Sequence, residues 1–215
     1  MNTNKKSDRF SVALGLVDYV NPVFYTITSL LIVRHMKEMM AGDYRIYLFG
    51  AVVSLIGGFI IPTGKLIVGL GIIKFVMPVP LVLFVNSGIL ISGMILLKTV
   101  FSLSPAVITV TAAAIIAFLV MIVRKTKKLN TAAVLTGALG YLMIYAGLIF
   151  LSLSMGRYLS VCLYVLAIGL FITLVRTGIK ADLYDARVHW FIELTNILCQ
   201  GSVALGTYLL FRALL

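Results

Sequence analysis

His189, Glu193, Asn196 and Gln200 recur at i, i+4, i+7 and i+11, the spacing that stacks four polar side chains on one face of a helix. A carboxylate with an imidazole one turn away could carry a cation or a proton. Glu193 would hold the charge and His189 would respond to pH. The two amides could orient a polar solute, or join helices by hydrogen bonds. A second group, Asp18-x-x-Asn21-Pro22, sets a carboxylate, an amide and a proline close together. Proline has no N–H, so the carbonyl of Asp18, four residues earlier, loses its helical partner. Such a set would suit a coordinated ion or the polar group of a substrate. The expectation is joint: Asp18, Asn21, His189, Glu193, Asn196 and Gln200 form one substrate or ion site.

Between Tyr44 and Ala181 the chain has no Asp or Glu at all. Carboxylate chemistry must therefore come from the two ends of the chain, which excludes acidic ligands on a central helix pair. The basic residues offer the opposite chemistry. Lys74, close to the Met77-Pro78-Val79-Pro80 run, and the cluster opened by Arg124 and Lys125 could hold an anionic headgroup or substrate. Lys65 and Lys98 also lie close to the membrane, where snorkelling explains them.

These residues must be held by elements that cross a bilayer. Of 215 residues, 61% are apolar and 12% charged, and the mean hydropathy is +1.12. That leaves too little polar material to cover a soluble domain. The apolar runs are continuous and near the ~20 residues of a spanning helix, whereas a barrel would alternate polar and apolar. The fold class is an all-α polytopic transmembrane helix bundle forming a single domain. Eight spans are expected near 11–33, 46–61, 66–77, 81–99, 104–123, 131–153, 157–175 and 187–211. The alternative is seven, with 66–100 forming one broken helix.

Eighteen Lys and Arg against seven Asp and Glu give a net charge of +11. The basic residues sit at the ends of apolar runs, so membrane lipids with anionic headgroups are the expected partner, and nucleic acid is not. A homo-oligomer or a partner subunit is the remaining partner class. Eight spans would divide the basic residues 11 to 7 between the two sides, and seven would divide them 11 to 6 with Lys74 in mid-membrane. Lys74, costly at the bilayer centre, favours eight. The cluster at Arg124 marks the cytoplasmic side of a bacterial cytoplasmic membrane.

A weak echo suggests a parallel repeat of four spans. Ile32–Lys37 (IVRHMK) resembles Ile122–Lys127 (IVRKTK), and Gly64-Lys65 resembles Gly156-Arg157. Asn86 precedes Lys98 by twelve residues, as Gln200 precedes Arg212. Gly57-Gly58, Gly137, Gly140 and Gly201 read as close helix packing. Asp43, Ser104 and Asn130 stand where helix caps belong.

Several activities are excluded. Cys162 and Cys199 both fall within spans, which argues against a disulfide framework. With two histidines, one of them (His35) in a loop, neither a bis-histidine haem nor a His-rich zinc site is supported, and no cofactor or metal is expected. No G-x-S-x-G, H-E-x-x-H or P-loop pattern is present. The leading expectation is a small transporter or permease with its polar site between the first and last spans. A lipid-modifying enzyme, with Glu193 and His189 as base and acid, or a non-catalytic membrane subunit are the alternatives.

Overall fold

In hydrocarbon a backbone N–H must find its acceptor within its own segment, and the apolar runs of this chain answer by forming helices. The computed structural model describes residues 11–39, 42–72, 79–126, 129–180 and 186–212. Its helices are α1 (Val12–Asp18), α2 (Val20–Met39), α3 (Asp43–Gly69), α4 (Val79–Phe101), α5 (Pro105–Thr126), α6 (Leu129–Ser154), α7 (Tyr158–Lys180) and α8 (Ala186–Phe211). The first two form one span, interrupted at Tyr19 because Pro22 withholds a hydrogen bond from Asp18. Ser11 caps its start, accepting from the Leu14 N–H at 3.1 Å. Among the described residues seven helical spans are long and apolar enough to cross a membrane.

The expected break after residue 61 is absent. The helix runs through Pro62 to Gly69, and the segment expected to be a separate span from residue 66 starts as the last turn of α3. A proline inside a spanning helix is tolerated where its freed carbonyl meets something other than lipid, and Pro62 is buried. Lys74 lies outside the described residues, as do Asp182 and Asp185. His35, expected in a loop, lies inside α2 and stacks on Phe211 with ring centroids 4.4 Å apart. Asp43 is the first residue of α3 rather than its cap, and its carboxylate accepts from Lys98 Nζ of α4 at 2.7 Å.

Six spans close into a ring in which α1–α2, α3, α4, α6, α7 and α8 each pack on the next, and α8 returns to α2. Antiparallel neighbours alternate except at two seams: α4 runs parallel to α6, and α8 runs parallel to α2. Exchanging the first three spans for the last three leaves the order and directions of the ring unchanged. The expected parallel four-span repeat does not fit this arrangement. Its first match joins the ends of the first and fourth spans, which point opposite ways. Only Asn86/Lys98 and Gln200/Arg212 fall on corresponding helices, α4 and α8. The fourth span, α5, stands outside the ring, buries no residue and touches mainly α6. We call the end of the bundle carrying Arg124 and Lys125 its basic end.

Small residues set the tightest seams. A Cβ on Gly88 of α4 would lie 2.5 Å from the Gly50 carbonyl oxygen of α3. One on Gly140 of α6 would lie 2.6 Å from the Leu90 nitrogen of α4. Three backbones are thus in near contact, which van der Waals packing rewards where the hydrophobic effect is absent. Gly88→Ala and Gly140→Ala should each destabilise the fold by about 1–3 kcal/mol through forced separation of the helices. Gly169→Ala, where a Cβ meets nothing within 4 Å, should be neutral or gain up to ~1 kcal/mol of helix propensity. Thermal unfolding of the three variants in mild detergent checks the contrast.

Candidate functional site

Two close approaches bring the charged residues together. Gly15 of α1 has no Cβ, and one placed there would lie 2.9 Å from the Leu66 Cα of α3. The backbones meet closely enough for Lys65, the neighbour of Leu66, to reach α1. On the other side α8 runs alongside α2. Lys65 Nζ consequently bridges two carboxylates, donating to Asp18 Oδ2 at 2.7 Å and to Glu193 Oε1. Asn21 spans the same pair, its Nδ2 donating to Asp18 Oδ1 at 3.1 Å and to Glu193 Oε2 at 3.2 Å. The carboxylates are almost enclosed, with side chains 10% and 5% exposed, and Lys65 is 17% exposed. At 1.5 Å per residue Asp18, Lys65 and Glu193 sit about 6–9 Å in from the basic end of their spans.

Beyond this cluster, inside the ring, lies a cavity of about 160 Å³. Five spans line it: Asp18, Asn21, Pro22 and Tyr25 from the first, Gly58 and Pro62 from α3, Asn86 from α4, Tyr141 from α6, Asn196 and Gln200 from α8. Its walls are mainly apolar, with a few polar groups set among them. Because Nδ2 of Asn21 is held by two carboxylates, its Oδ1 is turned away from them, and it has no hydrogen-bond partner. Pro22 frees the carbonyl of Asp18, and Pro62 frees that of Gly58. The two prolines belong to facing helices: Pro22 Cβ would lie 3.3 Å from a Cβ on Gly58. Deeper in, the Tyr25 hydroxyl is buried among the hydroxyls of Ser29, Ser54 and Ser92. Tyr25 meets Tyr141 edge to face at 6.5 Å. Asn21 and Tyr25 are only 8% and 7% exposed, so each keeps a polar atom out of bulk water.

The structure brings Asp18, Asn21, Glu193, Asn196 and Gln200 of the expected site together around this cavity. His189, one turn before Glu193, is half-buried and not part of the lining. Arg124 and Lys125 lie at the end of α5, against a shallow apolar groove formed with Ala117, Val120 and Met121. Lys65 is the residue that sequence reasoning undervalued, by treating it as a snorkelling side chain. The available signal was electrostatic: Asp18 and Glu193, both inside spans, demand a counter-charge inside a span. Asn86 entered the sequence reading through the repeat rather than the site, and Tyr25 and Tyr141 carried no signal, since tyrosine in an apolar run is equally compatible with the interface or with packing.

A second ion pair closes the far end of the same helix, where Lys98 of α4 meets Asp43 of α3. Among the described residues no three His, Cys, Asp or Glu side chains are grouped to hold a metal ion. Lys65→Met leaves two neighbouring carboxylates without their cation and should cost about 3–5 kcal/mol of stability. Adding Glu193→Gln to that variant should restore part of the loss, because the like-charge contact is then removed. Unfolding temperatures of the single and double variants decide it: equal losses would mean that the bridge carries no charge compensation. Compared with protein-family models, with curated proteins and with solved structures, the chain matches none.

Proposed function

We propose that the chain is a small multi-pass membrane transporter whose substrate site is the cavity within the ring, with the Asp18–Lys65–Glu193 cluster between that cavity and the basic end. The observation that carries this reading is the cavity's lining. Residues of five spans line one partly open space, with Asn21, Asn86, Asn196 and Gln200 among them, and the Oδ1 of Asn21 is buried without a partner. A bundle that only packs has every reason to satisfy or exclude such groups, since each unpaired polar atom costs about 1–3 kcal/mol. A ligand-binding bundle keeps them for the ligand.

The cluster at the basic end supports the same reading, since Asp18 lines the cavity and its bridge to Lys65 and Glu193 stands between the cavity and that end. In this reading the basic end faces the cytoplasm, Arg124 and Lys125 rest on anionic headgroups, and His189 lies near the entrance.

Transport requires access from both sides in turn. In a Cys162→Ser background, Asn196→Cys should react with a small membrane-impermeant methanethiosulfonate added to either face of sealed vesicles. Lys65→Met should shift the balance of labelling towards the basic face by weakening its barrier. Labelling from one face only, or from neither, would overturn transport and favour a fixed cleft or a packing role.

A further inference from the structure

We infer that the Asp18–Lys65–Glu193 cluster is a proton site: its two carboxyl groups share one proton while the cluster is closed and surrender it to water when the cluster opens. The inference rests on the reading of the cavity as a transport site. It assigns the proton as the ion that controls the barrier at the basic end.

Contact between the two acids is the first argument. Besides sharing their donors, the carboxyl groups of Asp18 and Glu193 stand within hydrogen-bonding reach of each other. Carboxylates are acceptors only, so such a contact repels unless one oxygen carries a proton to donate. The neighbouring donors are already committed. Lys65 Nζ gives one N–H to Asp18 Oδ2 and another to Glu193 Oε1, and Asn21 Nδ2 spends both of its own on Asp18 Oδ1 and Glu193 Oε2.

Charge is the second argument. Two carboxylates and one ammonium leave one negative charge over, on side chains 10%, 5% and 17% exposed. A proton on the acid pair removes that surplus without a further ligand and without moving a heavy atom. Among the described residues the ion pairs of Asp18 and Glu193 are with Lys65 alone. The other titratable or charged groups around them are few. On the first span Tyr19 bonds Thr63 of α3, and Tyr25 lies about two turns deeper than Asp18. On α8, Arg187 and the half-buried His189 precede Glu193 towards the basic end, and α7, which packs on α8, brings Arg176.

Opening reverses the balance. The cluster sits about 6–9 Å in from the basic end, so parting α8 from α1 and α3 there admits water to it. Water then donates to each carboxylate, and a solvated carboxylic acid is ionised at neutral pH. The O–H bond of the shared acid breaks, the proton passes to a water at the basic end, and two carboxylates and an ammonium remain. Closing takes one proton up again. Acid therefore favours the closed cluster and alkali the open one.

The test is infrared absorption of the full chain in dodecyl maltoside, a detergent without ester carbonyls. At about pH 7 solvated acids are ionised, and the wild type should still show the C=O band of a protonated carboxyl, shifted by D2O. Glu193→Gln and Asp18→Asn should each abolish it, because either leaves one carboxylate balanced by one ammonium. No such band in the wild type overturns the proton site, and that measurement needs no variant to fold. Loss in one variant only places the proton on a single acid and overturns the sharing, as does a band that survives in both. The second readout is labelling of Asn196→Cys in the Cys162→Ser background, taken as the ratio of basic face to opposite face so that the thiol's own titration cancels. Between about pH 6 and about pH 9 this ratio should rise roughly tenfold or more, one proton allowing at most about tenfold per pH unit. It should stay flat once Glu193→Gln is added, whereas His189→Gln should change neither readout. A flat ratio in the unmodified cluster, or a rise lost with His189→Gln, overturns control by the shared proton. Labelling from one face only removes transport and leaves the infrared result standing, so the two failures are told apart.

Discussion

A carboxylate placed among helices that face lipid cannot fall back on water, and here two of them share one lysine. The bridge from Lys65 to Asp18 and Glu193 joins the first, second and last spans. That choice has consequences well beyond the three residues. It closes the ring between its first and last members, where α8 and α2 run parallel without a connecting loop. It also draws α1 tightly onto α3, which is why Gly15 faces Leu66 without a side chain. The kink at Tyr19 lets the carboxylate of Asp18 and the amide of Asn21 both turn towards Glu193.

The rest of the ring is held differently. Along α3, α4 and α6 the contacts are glycine against backbone, with Ser54 of α3 donating to the Val85 carbonyl of α4 at 3.2 Å. Such a seam is short-ranged and has few alternative arrangements, because separating the helices loses all of it at once. The charged seam around Lys65 is longer-ranged and can be re-formed with other partners. One side of the bundle is thus held by shape and the other by charge, and the cavity lies between the two.

Much of this was legible in the residues, and the failures have physical causes. Continuous apolar runs announce helices because hydrocarbon permits little else. The i, i+4, i+7, i+11 series on α8 showed that Glu193, Asn196 and Gln200 share a face. The absence of acid between Tyr44 and Ala181 forced Asp18 and Glu193 into the same discussion. The second span is expected to end near residue 61, but α3 continues through Pro62 to Gly69, because a proline is tolerated inside a helix that is buried in the bundle. Lys65 was hidden by its position near the end of a run, where a lysine that snorkels and a lysine that pairs inward look alike. Distinguishing them needs the neighbours, and these come from 47 residues before it and 128 after it.

Those separations set an order of events at birth. As the chain enters the membrane, Asp18 and Lys65 arrive within the first two spans and can neutralise each other at once. The fourth span, the most apolar of the seven and touching mainly α6, can insert on its own strength. The seventh span, the least apolar of them, is least able to: it carries Glu193, Asn196 and Gln200. It can settle only where a lysine already waits. The nascent first half is therefore a receptor for the final helix, and a chain that lost Lys65 would be expected to stall with its last segment still unplaced at the insertion machinery.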